Sequence, residues 1–333
     1  MYSEINNSNI YSSNCGKSDR IGSDNDLIED RQCRKISIIG AELSLGCGKN
    51  GPHMAPDAIR NKDIINRLKS FDINIEDCGN ISQSEDVTSD NDSKLKHITQ
   101  IADFNERLAE QVNSVISRGN LPLILGGDHA IAIGTISGAA KEFGNNLGVV
   151  WIDAHTDINT EKSSPSGNIH GMPIAALLGY VDPRLSNILF EGKKISGDKV
   201  LIVAARDIDP GEFTMVKQEN VHLLDMDTIR RSGINNICQQ ISQIIAEWNV
   251  DNIHLSIDID SLDPKFVPGT GTPVDNGLSP NELFDLIDTI TKTQKVRSVD
   301  VVELNPLLDN ESQQTADITA DIVEYVGKKL NQK

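Results

Sequence analysis

Two clusters of acidic residues and histidine, each at two-residue spacing, mark this chain of 333 residues. Asp153, His155 and Asp157 lie in LGVVWIDAHTDIN, and Asp258 and Asp260 lie in HLSIDIDSLDP. Because alternate residues of an extended strand share one face, each cluster can direct its polar groups toward a single point. Both clusters follow apolar, β-branched runs typical of buried strands, where unpaired charge is unstable. The clusters therefore indicate a bound cation.

The ligand types favour a pair of divalent metal ions. Carboxylate oxygens mixed with imidazole suit manganese, iron, cobalt or zinc better than calcium. His129, in GGDHAIAIG, adds an imidazole at the end of another predicted strand. The expected ligands are His129 and Asp157 for one ion, His155 and Asp260 for the other, and Asp153 and Asp258 as bridges. Two ions about 3.5 to 4 Å apart turn a bridging water into a hydroxide nucleophile, so this arrangement predicts hydrolysis.

The composition favours an enzyme with one large core. The chain is 38% hydrophobic, and its several strand and helix alternations favour a single α/β unit. The 49 acidic residues outnumber the 31 basic residues, so nucleic acid and anionic membrane surfaces are disfavoured as partners. No apolar stretch approaches a membrane span. Five cysteines lack paired metal-type spacing, which predicts reduced thiols and a cytoplasmic location.

The elements that must position the clusters begin after a polar tail. Residues 1–34 are rich in Asn, Ser and Asp, which predicts disorder, and residues 35–330 are expected to form the catalytic domain. The predicted strands are 36–40, 121–127, 147–153, 199–205, 252–260 and 296–304, with shorter ones near Ile73 and Val221. The predicted helices are 56–68, 98–118, 236–248 and 280–291.

This alternation predicts an α/β fold with a mostly parallel central sheet and helices on both faces. In such sheets the ligand site lies beyond the carboxyl ends of the strands. His129, Asp153 and Asp258 each follow a predicted strand end. We therefore expect the metal ligands to meet at one rim of the sheet.

The order of motifs resembles the ureohydrolase family, and within it the arginases. The resemblance runs from about Lys35 to about Val326. Its motifs are GGDH (126–129), DAHTDIN (153–159), SGNIHGMP (166–173), RDIDPGE (206–212), SIDIDSLDPKFVPGTGTPV (256–274) and VELNP (302–306). The resemblance implies an arginase-like three-layer fold, two Mn²⁺ per subunit and hydrolysis of L-arginine to L-ornithine and urea. It also implies a homotrimer or homohexamer.

The resemblance further implies how the substrate is held. Asn159, Ser166 and Asn168 correspond to positions that bind the carboxylate of the amino acid, and neutral donors suit that task. Asp209 is expected to meet the α-amino group, with Glu212 in support. The three neutral residues could instead only stabilise their loop through side-chain to backbone hydrogen bonds.

Catalytic roles follow from the same resemblance. Glu303 resembles the partner of the guanidinium group, and His170 resembles a proton shuttle, a task for which imidazole is well matched at neutral pH. Asp157 is expected to carry a proton from the attacking hydroxide to the departing amine. Thr272 is expected to touch the guanidinium group or the product urea. One departure is Ala130, which follows GGDH where the family usually has serine.

Two other functions stay open at this point. One is a ureohydrolase for another guanidino compound, such as agmatine or guanidinobutyrate, which would not need Asn159 and Ser166. The other is an oligomeric binding module without turnover, although the sequence retains every expected ligand and Glu303. Asp128 and Asp263, which also follow strand ends, are interpreted as helix-cap or turn residues.

Overall fold

Eight parallel strands form one continuous sheet. The structure, a computed structural model, describes residues 35–84 and 94–332, so the tail predicted over residues 1–34 lies outside the described residues. The strands are β1 (Ile36–Glu42), β2 (Ile75–Ser82), β3 (Leu121–Leu125), β4 (Leu147–Ile152), β5 (Val200–Val203), β6 (His222–Leu224), β7 (Asn252–Asp258) and β8 (Val296–Val302). Their order across the sheet is β2-β1-β3-β8-β7-β4-β5-β6.

The central strands are buried on both faces, which explains their unbroken apolar sequences. In β4 every residue is buried. Val149 and Trp151 point into one hydrophobic cluster, whereas Val150 and Ile152 point into a second cluster on the other side of the sheet. Alternation along a strand therefore fills two cores rather than one core and a solvent face.

Helices cover both faces of the sheet. They are α1 (Ala55–Arg60), α2 (Ile64–Lys69), α3 (Ile98–Ser117), α4 (Ala132–Phe143), α5 (Pro173–Leu177), α6 (Pro183–Ser186), α7 (Pro210–Gln218), α8 (Met226–Ser232), α9 (Ile234–Glu247), α10 (Pro280–Lys292) and α11 (Gln314–Asn331). Helices α3 to α7 contribute buried residues to the first cluster, and α1, α2 and α8 to α11 contribute to the second. The predicted three-layer α/β fold is confirmed.

Some predicted boundaries are wrong. The helix expected over residues 56–68 breaks between α1 and α2, where Asp63 has a φ of 58°. The strand predicted near Ile73 is present as β2, which begins at Ile75; it carries several exposed residues because it lies at the edge of the sheet. Among the described helices, none has the length and hydropathy that a bilayer crossing requires.

The sheet order brings four strand ends together. Strands β3, β8, β7 and β4 are consecutive neighbours in the centre of the sheet and run in the same direction. The segments that follow them carry His129, Glu303, Asp260 and Asp153, although these residues span more than half of the chain. The fold thus gathers distant polar residues at one rim.

Candidate metal centre and substrate pocket

His129 lies at the centre of the first group of ligand atoms. Its Nδ1 atom is 3.0 Å from Asp153 Oδ2, 3.1 Å from Asp258 Oδ2 and 3.2 Å from Asp157 Oδ2. The imidazole is buried, yet Nδ1 makes no hydrogen bond of good geometry with any described residue. Three carboxylates thus surround Nδ1 of His129. Such an arrangement suits a cation that the carboxylates and the imidazole nitrogen bind together.

His155 forms a second group beside the first. Its Nδ1 atom is 3.3 Å from Asp153 Oδ1 and 3.2 Å from Asp260 Oδ2. The ligand atoms of His129, Asp153 and Asp258 lie within 4.8 Å of one another, and so do those of Asp153, His155 and Asp260. Asp153 belongs to both groups, whereas Asp258 belongs to the first group alone.

Short backbone turns produce this convergence. Asp153 Oδ1 accepts a hydrogen bond from the His155 amide at 2.7 Å, and Asp258 Oδ1 accepts one from the Asp260 amide at 2.7 Å. Each strand-end aspartate therefore bends the chain through a bond to the residue two positions on. The second oxygen of each carboxylate remains directed at the ligand groups.

Two supporting residues were missed by the sequence analysis. Ser256 Oγ lies 2.8 Å from His129 Nε2, so the hydroxyl can fix the ring orientation and leave Nδ1 directed at the carboxylates. Trp151 stacks on His129 with ring centroids 3.9 Å apart, and its Nε1 donates to Asp153 Oδ2 at 2.9 Å. Ser256 and Trp151 each lie two residues before a proposed ligand, on the same face of the strand. The alternation of side chains along a strand could therefore have identified them.

The charges of the site are out of balance without a cation. Burial and neighbouring carboxylates raise the pKa of Asp157 to about 7 and raise the pKa of Asp258 well above its usual range. Burial opposes charge on His129 and His155, but the surrounding carboxylates outweigh it and raise both pKa values. The described residues therefore retain protons that a metal ion would displace.

The donor set fits two divalent metal ions. It combines four carboxylates with two imidazoles, so two divalent charges would neutralise it. Asp153 offers one oxygen to each group, as a bridging ligand requires. The unpartnered Nδ1 of His129 is a further indication that a group outside the chain completes the site.

Glu303 and His170 lie next to the first ligand group. Glu303 Oε1 accepts from the His129 amide at 2.8 Å and is 3.0 Å from His170 Nδ1, whereas the buried Oε2 has no partner among the described residues. Burial opposes the charge on His170, but Glu303 outweighs it and raises the pKa of His170 to about 9. Burial likewise opposes ionisation of Glu303, and the hydrogen bond from His170 lowers its pKa. The pair is therefore ionised at neutral pH.

A cavity of about 260 Å³ opens onto the ligand groups. Asp157, His155 and Asp258 line its inner end. The rest of its wall comes from the loops after β4 and β5 and from Thr272; it includes Asn159, Ser164, Pro165, Ser166, Asn168, His170, Gly171, Asp207, Asp209 and Glu212. The predicted substrate residues other than Glu303 thus share one cavity with three of the predicted ligands, whereas Glu303 lies behind the cavity wall next to His170.

Asp209 and Glu212 also stabilise the helix that supports the wall. They form a reciprocal capping box at the start of α7, in which the Asp209 amide donates to Glu212 Oε2 at 2.9 Å. Asn159 Nδ2 donates to Asp209 Oδ2 at 3.0 Å, while Asn159 Oδ1 is buried without a partner among the described residues. Ser166 Oγ accepts from the Asn168 amide at 3.2 Å.

Four other polar residues on or after the strands have contacts within the protein. Thr272 Oγ1 donates to Asp260 Oδ2 at 3.0 Å, so it touches a ligand. Asp128 caps the helical turn at His129 through a bond from the Ala130 amide at 3.0 Å, and Asp263 accepts from the Lys265 amide at 3.2 Å. Both are cap or turn residues, as predicted. Asp300, on β8, accepts a hydrogen bond from Thr135 Oγ1 and lies 3.2 Å from His254 Nε2.

Comparison with known proteins points to one family. A profile described as "Arginase family" matches residues 34–327. The arginase of Bacillus caldovelox is 39% identical over 299 residues, which cover 89% of this chain and 99% of the relative. The arginase of Bacillus subtilis is 40% identical over 298 residues, with the same coverage.

Solved structures agree with the sequence relatives. The native structure of the arginase from Bacillus caldovelox superposes with a TM-score of 0.84 at 39% identity, and covers 90% of this chain and 99% of that one. The Entamoeba histolytica arginase, solved in complex with L-ornithine, gives a TM-score of 0.80 at 29% identity, with 88% and 98% coverage. The predicted resemblance is confirmed, and the chain belongs to the arginase family of hydrolases.

Proposed function

We propose that this chain hydrolyses L-arginine to L-ornithine and urea with the help of two manganese ions. The observation that carries this proposal is the single cavity that joins the His and Asp ligand groups to Ser166 and Asn168. One end of the cavity can bind metal ions, and the other presents neutral hydrogen-bond donors. A substrate with a guanidinium group at one end and a carboxylate at the other matches both ends.

Six residues would hold the ions: His129, Asp153, His155, Asp157, Asp258 and Asp260. When bound, two divalent ions lower the pKa of water to near neutrality and stabilise negative charge that develops on the reacting group. The protein contributes a buried, preformed set of ligands. Ser256 and Trp151 hold His129, and backbone amides hold Asp153 and Asp258.

Glu303 would bind the guanidinium group of the substrate. Its Oε2 atom is buried and unpartnered among the described residues, and its charge is retained because His170 and the His129 amide donate to Oε1. A guanidinium group would supply the missing donor in a charge-assisted hydrogen bond. The pair of Glu303 with the guanidinium group would fix the orientation of the guanidinium plane, so that water can attack its central carbon.

Asp157 and His170 would move the protons. Addition of water to the guanidinium carbon releases one proton, and cleavage of the carbon–nitrogen bond to ornithine requires one on the departing nitrogen. Asp157 borders both the ligands and the cavity, so it is suited to carry that proton. His170 also lines the cavity and carries a proton at neutral pH, so it can protonate the product amine.

The outer wall of the cavity would select the amino acid. Ser166 and Asn168 can donate to the carboxylate, with Asn159 behind them next to Asp209. Asp209 offers a negative charge to the α-amino group. A decarboxylated substrate would leave the donors unpaired and lose binding energy. This argument favours arginine over agmatine.

We further propose that the enzyme is a cytoplasmic homotrimer or homohexamer. Leu307 and Leu308 are large apolar side chains left exposed on the described surface, as expected at a subunit contact. Cys47, Cys78 and Cys238 are free thiols, which suits a reducing compartment. Analytical ultracentrifugation of the purified protein would give the number of subunits.

Urea release tests the proposed reaction. L-arginine, agmatine and guanidinobutyrate should be compared at equal concentration before and after incubation with manganese. We expect manganese-dependent release from L-arginine and far less from the other two compounds. Preferential release from agmatine or guanidinobutyrate would support the metal centre but contradict the proposal that L-arginine is the substrate. Absence of release from all three compounds, with two metals bound, would contradict the proposed hydrolysis.

A further inference from the structure

A short segment before α3 lies against the loop that carries Ser166 and Asn168. The Lys96 amide donates to the Gly167 carbonyl at 3.3 Å, and the Lys96 Nζ atom donates to Asn168 Oδ1 at 2.8 Å. Gly167 has a φ of 73°, and a Cβ atom there would lie 2.4 Å from the Lys94 carbonyl oxygen. The main chain of the segment therefore fits closely on the loop and positions the Lys96 ammonium.

The contact fixes the direction of the Asn168 amide. Because Oδ1 accepts from Lys96, the Nδ2 end is the one left for other partners, and no described residue accepts from it. Gly48 lies beside the Nδ2 end, where an added Cβ atom would lie 3.1 Å from Nδ2. Because glycine has no side chain, the NH₂ group of the Asn168 amide stays accessible. Lys96 thereby makes Asn168 a donor to the cavity.

Lys96 also supplies a positive charge next to a cavity wall that is rich in carboxylates. The cavity wall includes five carboxylates, which belong to Asp157, Asp207, Asp209, Glu212 and Asp258. A substrate carboxylate that enters this cavity meets like charge on the Asp209 side. The Lys96 ammonium, bound to Asn168 of the cavity wall, lowers that repulsion.

We propose that Lys96 is a positioning residue that selects substrates with an α-carboxylate, through the orientation of Asn168 and its own positive charge. This inference rests on the proposed function and deepens it. Lys96 does not touch the reacting atoms. Its removal should therefore weaken the binding of arginine and ornithine and leave the chemical step intact.

The test compares Lys96→Met with a matched control. Lys94→Met removes an equal charge two residues away, where Nζ donates to the Glu161 carbonyl at 2.5 Å rather than to Asn168. Lys96→Arg retains the charge. Each manganese-loaded variant is assayed for kcat and KM with L-arginine, and ornithine binding is measured by calorimetry beside putrescine, which is ornithine without its carboxylate.

We expect Lys96→Met to raise KM for arginine and Kd for ornithine by about three- to fivefold, the range for a partly exposed charge contact. kcat and putrescine binding should stay unchanged, Lys94→Met should behave as wild type, and Lys96→Arg should recover most of the loss. Equal losses in Lys96→Met and Lys94→Met, or no loss in Lys96→Met, would overturn the inference. Wild-type protein that hydrolyses no arginine would instead overturn the proposed function.

Discussion

Replacement of Glu303 by glutamine isolates the charge at the core of the proposed mechanism. Glutamine has the same shape, and its carbonyl oxygen can still accept from the His129 amide and from His170 Nδ1, now at 2.8 and 3.0 Å. The variant loses only the negative charge and places an amide NH₂ where Oε2 now has no partner. The fold should therefore survive the substitution.

The size of the effect follows from His170. Its pKa of about 9 lies about 2.5 above the ordinary value of 6.5, which corresponds to roughly 3 kcal/mol of preference for the charged imidazole. Without the Glu303 charge, burial should lower the pKa of His170 from about 9, although Asp128 and Asp157 still favour the charged imidazole. Because the folded-state pKa is raised in the wild type, this stabilisation is complete below pH 6.5 and is lost as the pH rises through about 9.

The loss of activity follows from the charge that the guanidinium group would no longer meet. Loss of one partner from a buried, hydrogen-bonded charge pair costs about 2 to 5 kcal/mol in binding, which corresponds to a loss of at least about 30-fold in kcat/KM for arginine. The pKa is measured by NMR titration of the metal-free protein with labelled histidine, and His170→Asn assigns the signal. Activity is measured as urea release from the manganese-loaded protein. Wild-type kcat/KM in Glu303→Gln, or a His170 pKa that stays near 9, would refute the reasoning.

Three further changes test other parts of the site. Asp258→Asn should abolish metal binding and activity, because it removes a buried ligand charge; two bound metals by elemental analysis with full activity would contradict the ligand set. His170→Asn should lower turnover by about 100-fold or more, the scale of general acid catalysis, with metal content unchanged; unaltered turnover would exclude His170 from proton transfer. Gly167→Ala should weaken arginine binding and lower the melting temperature, since its φ of 73° and the 2.4 Å approach to the Lys94 carbonyl oxygen leave no room for Cβ; wild-type KM and melting temperature would show that the loop shifts freely.

The central strands were predictable because burial on both faces imposes a simple pattern. An unbroken apolar run such as LGVVWI can be stable only where both sides of a strand are covered, so sequence and burial agree. The edge strand β2 was located less well, since IEDCGNIS needs no such pattern at a half-exposed edge. Local composition thus predicts the centre of a sheet better than its edge.

Helix α4 was missed for a different physical reason. Its sequence AIGTISGAAKEF contains two glycines, which lower intrinsic helix propensity. In the structure, a Cβ at Gly134 would lie 2.7 Å from the Asn105 carbonyl oxygen, and one at Gly138 would lie 2.6 Å from the Ala109 carbonyl oxygen. The glycines permit close packing of α4 on α3. That benefit depends on tertiary contact, which propensity does not describe.

The convergence of the proposed metal ligands was easier to predict than the contacts around them. Asp153 and His155, like Asp258 and Asp260, are two residues apart, so strand geometry alone predicts that they converge. The contact of Lys96 with Asn168 joins residues 72 positions apart in different elements. No local pattern predicts such a contact. Whether the site residues perform the roles proposed for them stays a prediction for the variants above to test.

The position of β7 and β8 in the middle of the sheet has a consequence for biosynthesis. A ribosome that has released residues up to about 250 has supplied β1 to β6, yet β3 and β4 are not neighbours in the sheet order. The two strands that join them are the last to be made, and two apolar strand edges stay open until then. His129 and Asp153 lie on opposite sides of this gap. A chain terminated near residue 250 would therefore carry only four of the six proposed metal ligands and would expose two unpaired strand edges, so it would be prone to aggregate before any activity exists.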